Sequence, residues 1–309
     1  MHKYRFLSFI GILSIFLFIL PITAAAAESE SLQLTQGHPD PYKVTFGLRL
    51  TGGVFPLIHN DFNDNFRGRN DYFNDSQFHT LDSEFELIKM GMDFGGEILI
   101  RFMPNFSIGI GAGYLSAGKE TTAEVKIWAI SQDLTYHPKF SAIPITLSFY
   151  YGIPAGSFMN IVLNAGFGYY LGTVGFDAYY KDYGGFGWEE ETDTWSAKSN
   201  TLGFHGGIDL EFDVAPNVAL VVGAKGRYAK LSDLTADLEW DYNSSLGNSQ
   251  SGTEEDMTLW FGNYEEAGEE YSLLDLSEDK PTASYWSNVR EAEVNLSGIV
   301  FQAGIKIFF

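Results

Sequence analysis

From residue 43 onward the chain changes chemical character one residue at a time. Val44, Phe46, Leu48 and Leu50 are apolar, while Lys43, Thr45, Gly47, Arg49 and Thr51 are polar or small. Side chains of a strand point to opposite faces in turn, so period two predicts a strand with two unlike faces. The pattern recurs over 88–102, where Ile88, Met90, Met92, Phe94, Ile98, Ile100 and Phe102 oppose Lys89, Asp93, Glu97 and Arg101. It recurs over 106–114, 143–151, 161–169, 202–212, 218–228 and 299–309. Eight strands are predicted, each long enough to cross a bilayer when tilted. Tight turns near 103–105, 153–158 and 215–217 alternate with long connections near 53–85, 116–139, 172–200 and 231–292.

Short turns on one side and long loops on the other are the arrangement of a membrane barrel. The predicted fold class is all-β: an eight-stranded antiparallel transmembrane β-barrel with long extracellular loops and short periplasmic turns. A soluble sandwich or lipocalin-like barrel would alternate too, because one face of each sheet packs inward. Three features favour the membrane. The apolar faces are nearly free of polar residues, and the opposite faces carry charges. Aromatic residues also sit near strand ends (Phe102, Phe106, Tyr114, Tyr151, Tyr169, Phe212, Tyr228, Phe309), as an interfacial girdle requires. An open sheet in hydrocarbon would leave unpaired edges, so the first strand is expected to pair with the last. An even strand count puts both chain ends on the periplasmic side.

The start of the chain is set apart from this pattern. His2, Lys3 and Arg5 precede an apolar run over 6–20 and small residues up to Ala27. That order reads as a secretory signal peptide over 1–27, with an uncleaved membrane anchor as the alternative. Residues 28–40 are then a periplasmic lead-in and 41–309 the barrel. No later run of about 18 apolar residues predicts a membrane helix.

Composition narrows the function classes. Forty Asp+Glu against nineteen Lys+Arg give a net charge of −21, which argues against a nucleic-acid surface. With no Cys, disulfides, thiol catalysis and Cys-type metal sites are excluded. Thirty-three Gly, 26 Phe and 17 Tyr do not suit a disordered chain.

The chain resembles the small eight-stranded outer-membrane β-barrels of Gram-negative bacteria, the group that includes the barrel domain of OmpA-like proteins. Three segments carry the likeness: the glycine-rich hairpin over 92–114 with its tight turn at Met103-Pro104-Asn105, the strand over 141–147, and the terminal Gly304-Ile305-Lys306-Ile307-Phe308-Phe309. The resemblance implies a cell outer membrane location. It also implies that Phe309 is the signal read by the outer-membrane insertion machinery. The peptidoglycan-binding domain of OmpA-like proteins has no counterpart here, so a tethering role is not supported.

The inward-facing set expected in the lumen is Lys43, Arg49, Lys89, Asp93, Glu97, Arg101, His205, Asp209, Glu211, Lys225, Arg227 and Lys306. Asp93 and Glu97 are expected to pair with Arg49 or Arg101, and Asp209 and Glu211 with Lys225 or Arg227. An eight-stranded barrel has room for side chains or one small ligand, so this set reads as a salt-bridged plug. A narrow or gated channel for small solutes is the alternative. A lipid A-modifying enzyme would need a nucleophile and base; His205 near Asp209, with Ser148 across the wall, is the nearest approach. No nucleophile motif or metal spacing accompanies them, so no catalytic residue, metal or cofactor is expected.

Most of the acidic charge falls in the long connections. The segment 231–292 mixes Asp and Glu with Trp240, Tyr242, Trp260, Phe261, Tyr264, Tyr271, Tyr285 and Trp286, and 172–200 repeats the theme. Three readings remain open: a solvated like-charged surface, divalent cations bridging to lipopolysaccharide, or recognition of an extracellular ligand through exposed rings. Asp61-Phe62-Asn63-Asp64-Asn65 only weakly resembles a calcium loop, lacking its Gly and closing Glu. The function read from the sequence is a non-enzymatic outer-membrane protein with a structural or surface-interaction role. Its expected partners are outer-membrane lipids, lipopolysaccharide and the insertion machinery.

Overall fold

A computed structural model describes residues 44–57, 60–75, 79–127, 130–184 and 187–309. The expected signal peptide, the lead-in and Lys43 lie outside the described residues. In chain order the elements are β1 (Thr45–Pro56), α1 (Asp61–Asp75), β2 (His79–Leu81), β3 (Met90–Met103), β4 (Phe106–Gly118), β5 (Thr121–Ile127), β6 (Ile130–Pro154), β7 (Met159–Gly184), β8 (Gly187–Ala215) and β9 (Val218–Tyr228). There follow β10 (Lys230–Leu231), β11 (Thr235–Ser244), β12 (Ser249–Glu266), β13 (Glu269–Ser277), β14 (Trp286–Glu291), β15 (Val294–Asn295) and β16 (Gly298–Phe308).

The predicted fold class is corrected by this inventory. The described residues form sixteen strands, not eight. Fourteen join in one sheet and β10 pairs with β15. The segments read as long loops are largely strand: β6, β7 and β8 run for 25, 26 and 29 residues. At about 3.3 Å per residue β7 reaches roughly 85 Å, against a hydrocarbon core of about 30 Å. Its upper half therefore serves a different layer from its lower half.

Pairing defines the two layers. Low in the sheet, β8 pairs with β9, then β16, β1, β3, β4 and β6 follow, and β7 bridges β6 and β8. Higher up, β5 takes the edge of β6 that β4 occupies below, and β11 takes the edge of β8 that β9 occupies below. The sheet runs out through β12 to β13 and β14 on one side and through β5 to β2 on the other. It thus ends in edges and is not a simple closed barrel.

The upper layer has its own apolar core. Phe62, Phe66, Phe85, Tyr136, Phe140, Leu231 and Leu234 are buried there with Trp195, and Phe176 packs against them. Phe62 meets Phe140 edge-on at 4.8 Å, and Phe176 stacks on Trp195 at 5.4 Å. Helix α1 sits within this core. Its sequence holds few strong helix formers, so capping and packing must hold it. Asn60 caps it: the Asn63 amide donates to Asn60 Oδ1 at 2.8 Å. Asp61 and Asp64 lie in the first turn, where negative charge suits the dipole.

Two asparagines then act as substitute strand partners. Asn63 Nδ2 donates to Ile88 O at 2.9 Å, and Ile88 N donates to Asn63 Oδ1 at 2.9 Å. Two helical turns on, Asn70 makes the same two-way pair with Phe85, at 3.0 and 2.8 Å. This stitching replaces strand pairing for the segment before β3. It also corrects two expectations: Ile88 is buried among the aromatic rings, and Lys89 is exposed and belongs to no interior network.

The same helix covers an edge. Asn65 Oδ1 accepts from Leu274 N of β13 at 3.0 Å. Gly68 lies so close to β13 that a Cβ there would collide with the Ser272 backbone. At the helix start, Asp61 takes both Arg290 guanidinium nitrogens at 2.8 Å each and Glu293 N at 2.7 Å. The bonds to Asp61 raise the pKa of Arg290. The Asp61–Asn65 segment is therefore the opening of a helix, not a calcium loop.

Candidate functional site

The outward face of the lower layer is apolar and open. Ile98, Ile110, Leu147, Phe167, Phe204 and Tyr228 stand in successive ladder positions across β3, β4, β6, β7, β8 and β9. All are exposed, Phe167 to 63% and Phe204 to 56%. On the other side Phe301 of β16 faces Val54 of β1, both exposed. A patch running across so many strands far exceeds the few hundred Å² that a soluble monomer leaves uncovered.

The belt has a sharp upper limit. Along β8 the outward residues read Leu210, Ile208, Phe204 and Leu202, then Asn200, Lys198, Ser196 and Thr194. On β7 the change falls between Leu171 and Thr173, and on β6 between Ile143 and Ser141. The ladder aligns these limits: Ile143 pairs with Leu171, Ser141 with Thr173, and Thr173 with Lys198. The outward residues of β7 from Ile161 to Leu171 span about 33 Å of strand. At a tilt near 40° that stretch stands roughly 25 Å tall, the height of a barrel's lipid-facing band.

Inside the same layer the chemistry reverses. Asp209 is fully buried and accepts from Arg49 Nη2 at 2.9 Å, Asn164 Nδ2 at 2.8 Å and Gln302 Nε2 at 2.8 Å. Asp93 accepts from Arg227 Nη1 at 2.8 Å, with Lys225 Nζ at 3.8 Å. Arg227 Nε also donates to Leu296 O at 2.8 Å. Lys306 pairs with Glu211. Glu97 takes the hydroxyls of Ser148, at 2.7 Å, and Tyr150. To reach β6 its stem crosses β4 at Gly111, where a Cβ would press on Glu97 Cγ. Arg49 also lies over the Tyr150 ring at 5.0 Å, and Arg227 over Phe55 at 4.5 Å.

The structure thus gathers most of the expected interior set but exchanges the partners. Asp209 pairs with Arg49, not with Lys225 or Arg227, and Glu211 pairs with Lys306. Asp93 pairs with Arg227 and Lys225. The expectation matched neighbouring strands, whereas the long side chains reach across the interior, from β8 to β1 and from β3 to β9. Asn164 and Gln302 were not expected as partners, although both lie on inward phases of their strands. Arg101 stacks on the Phe308 ring, 3.4 Å from its centroid, and has no carboxylate at ion-pair distance among the described residues. His205 does not join Asp209; its Nε2 lies 3.1 Å from Ser148 Oγ.

That Ser–His contact does not form a nucleophile. Ser148 is fully buried and gives its proton to Glu97. Its oxygen can then only accept from His205, so the imidazole nitrogen beside it is not a free base. Among the described residues no group of three His, Asp or Glu could hold a metal. Above the ionic layer the interior is filled by Phe55, Leu115, Ala142, Tyr170 and Val300, all nearly inaccessible.

The upper layer presents the acidic surface. Asp237, Glu239, Asp241, Glu254, Glu255 and Asp256 are exposed on β11 and β12. Asp193 of β8 lies partly buried among them. Burial first, then the like charges of Glu191 and Glu254, raise its pKa from 3.8 to about 6. At the tip of the β7–β8 hairpin, Lys181 lies over the partly exposed rings of Tyr183 and Trp188, at 5.5 and 5.4 Å.

No protein-family model and no curated protein matches the chain. With the strand count, this withdraws the likeness to the small eight-stranded barrel family. Among solved structures the chain is similar to a major outer membrane protein from Thermus thermophilus, at 12% identity and a TM-score of 0.33, covering 87% of this chain and 100% of that one. It is also similar to the outer membrane protease OmpT from Escherichia coli, at 10% identity and a TM-score of 0.27, covering 86% and 95%. Scores this low carry neither fold nor function from those proteins to this one.

Proposed function

We propose that this is a membrane-embedded, non-conducting and non-enzymatic β-protein of the bacterial outer membrane, which holds a folded acidic, aromatic sheet above the lipid. The carrying observation is the apolar belt, open on every strand of the lower layer and cut off at one level, around an interior of paired charges. Water would not leave such a belt uncovered. Lipid would, provided that the backbone groups are paired as they are here. In this reading the short turns face the periplasm and the upper layer faces outward, beside lipopolysaccharide. The export signal read over 1–27 supports that address. The ionic layer and the aromatic core above it support a sealed interior, and the committed Ser148 hydroxyl supports the absence of chemistry.

Reconstitution tests the reading. The five described tryptophans (Trp188, Trp195, Trp240, Trp260, Trp286) all lie in the upper layer. Phe204→Trp in vesicles containing brominated lipid should add an emission component that the bromines quench. Equal emission in brominated and ordinary lipid would sink the membrane assignment. Planar bilayers should show no steady conductance, and sustained single-channel currents would restore the channel.

A further inference from the structure

A second site lies below the ionic layer, at the short-turn end. A cavity of about 520 Å³ is bounded by Arg49 and Tyr150 above, Leu99, Val162 and Ala219 on the walls, and the Pro104–Asn105 and Pro216–Asn217 turns at the mouth. Its size falls within the range of small-ligand pockets. Three cations meet in it. Arg49 and Lys306 are directly opposite in the β1–β16 ladder. Phe308, two residues on, carries Arg101 on its face, and Lys306 Nζ is also 5.4 Å from that ring.

Asp209, Glu211 and Asp213 match these cations in number, but none lies at ion-pair distance from Arg101. Glu211 is taken by Lys306, and Asp213 accepts from Asn160 Nδ2 at 3.2 Å. Arg101 keeps an unpaired guanidinium. Arg49 is 3% exposed, and its Nη1 is buried with no hydrogen-bond partner, although Nη2 is held by Asp209. A buried guanidinium nitrogen left without an acceptor is costly. Planar guanidinium forks match oxyanions two bonds at a time.

We propose that this cavity is a binding site for a small oxyanion, phosphate-like in size and charge, held by the Arg101 guanidinium beneath Arg49. The anion gives Arg101 the charged partner that it lacks at ion-pair distance. It enters from the short-turn side, because the Arg49–Asp209 layer forms the roof. The site does not depend on the membrane assignment, since it is complete within the fold.

Calorimetric titration of the full chain in non-ionic detergent at low ionic strength, with inorganic phosphate as the probe, tests this. One saturable site per chain is expected. Arg101→Gln should weaken it at least tenfold, with the unfolding midpoint lowered only by the loss of stacking on Phe308. Arg101→Lys should fall between the two. Lys139→Gln, on the outer wall beside Asp177, should bind as the parent does. No saturable binding, equal binding by Arg101→Gln, or equal loss in Lys139→Gln would each overturn the site.

Discussion

The lower and upper layers of this molecule share three strands and obey opposite rules. Below the level of Leu171 and Leu202 the outside is apolar and the inside ionic. Above it, the outside is acidic and the inside is Phe62, Phe66, Tyr136 and Trp195. One continuous backbone ladder passes through both. The ladder is indifferent to its surroundings because its backbone groups are paired within it. Side chains alone register which solvent each layer meets. The meaning of a substitution is therefore set by height along a strand as much as by residue type.

The largest effects should come from the lower interior. Asp209→Ala leaves Arg49 charged, buried and without its carboxylate, a loss of about 3–5 kcal/mol. A large fall in the urea midpoint of unfolding from vesicles is expected. The pair Arg49→Leu with Asp209→Leu should recover part of it, since no charge is then stranded, although Asn164 and Gln302 lose their acceptor. Next comes the wall. Phe204→Lys puts a charge in the belt at roughly 2–4 kcal/mol, whereas Ser196→Lys, higher on the same face, should stay within about 0.5 kcal/mol. Equal effects at 196 and 204 would erase the boundary between the layers.

Smaller effects belong to the upper layer. Gly68→Ala forces α1 away from the β13 backbone and should cost about 1–3 kcal/mol. It should speed hydrogen exchange at the Leu274 amide, with the lower strands unchanged. The smallest is a pH dependence. The raised pKa of Asp193 means that the fold favours its neutral form. Its contribution is fullest below the ordinary value of 3.8 and is lost as pH rises through about 6. Exchange protection around β11 should accordingly fall across that window, and Asp193→Asn should flatten the profile.

The lower layer was legible from the sequence because one environment on each side gives an unbroken period of two. The strand ends were not, and the reason is visible in β6 and β7. Apolar residues occupy odd positions from Ile143 to Ile153 but even ones at Phe140, Tyr136 and Leu134. On β7 they shift from Leu163, Phe167 and Leu171 to Val174, Phe176 and Ala178. The alternation persists, but its phase inverts where the solvent changes, and a search for one apolar face stops there. Helix α1 was illegible for another cause: its Asn and Asp residues resemble a loop, and only partners distant in sequence make them helical. The interior charges were found by phase, but their partners depended on reach across the interior, which no strand-by-strand pattern records.

The seam between β1 and β16 sets an order of events for the newly made chain. β1 is synthesised first among the described strands and its partner β16 last. Asp61 likewise waits for Arg290, 229 residues later. Until β16 is made, the chain carries one open edge of β1 and a helix that lacks its Arg290 contact, and such edges invite pairing with other chains.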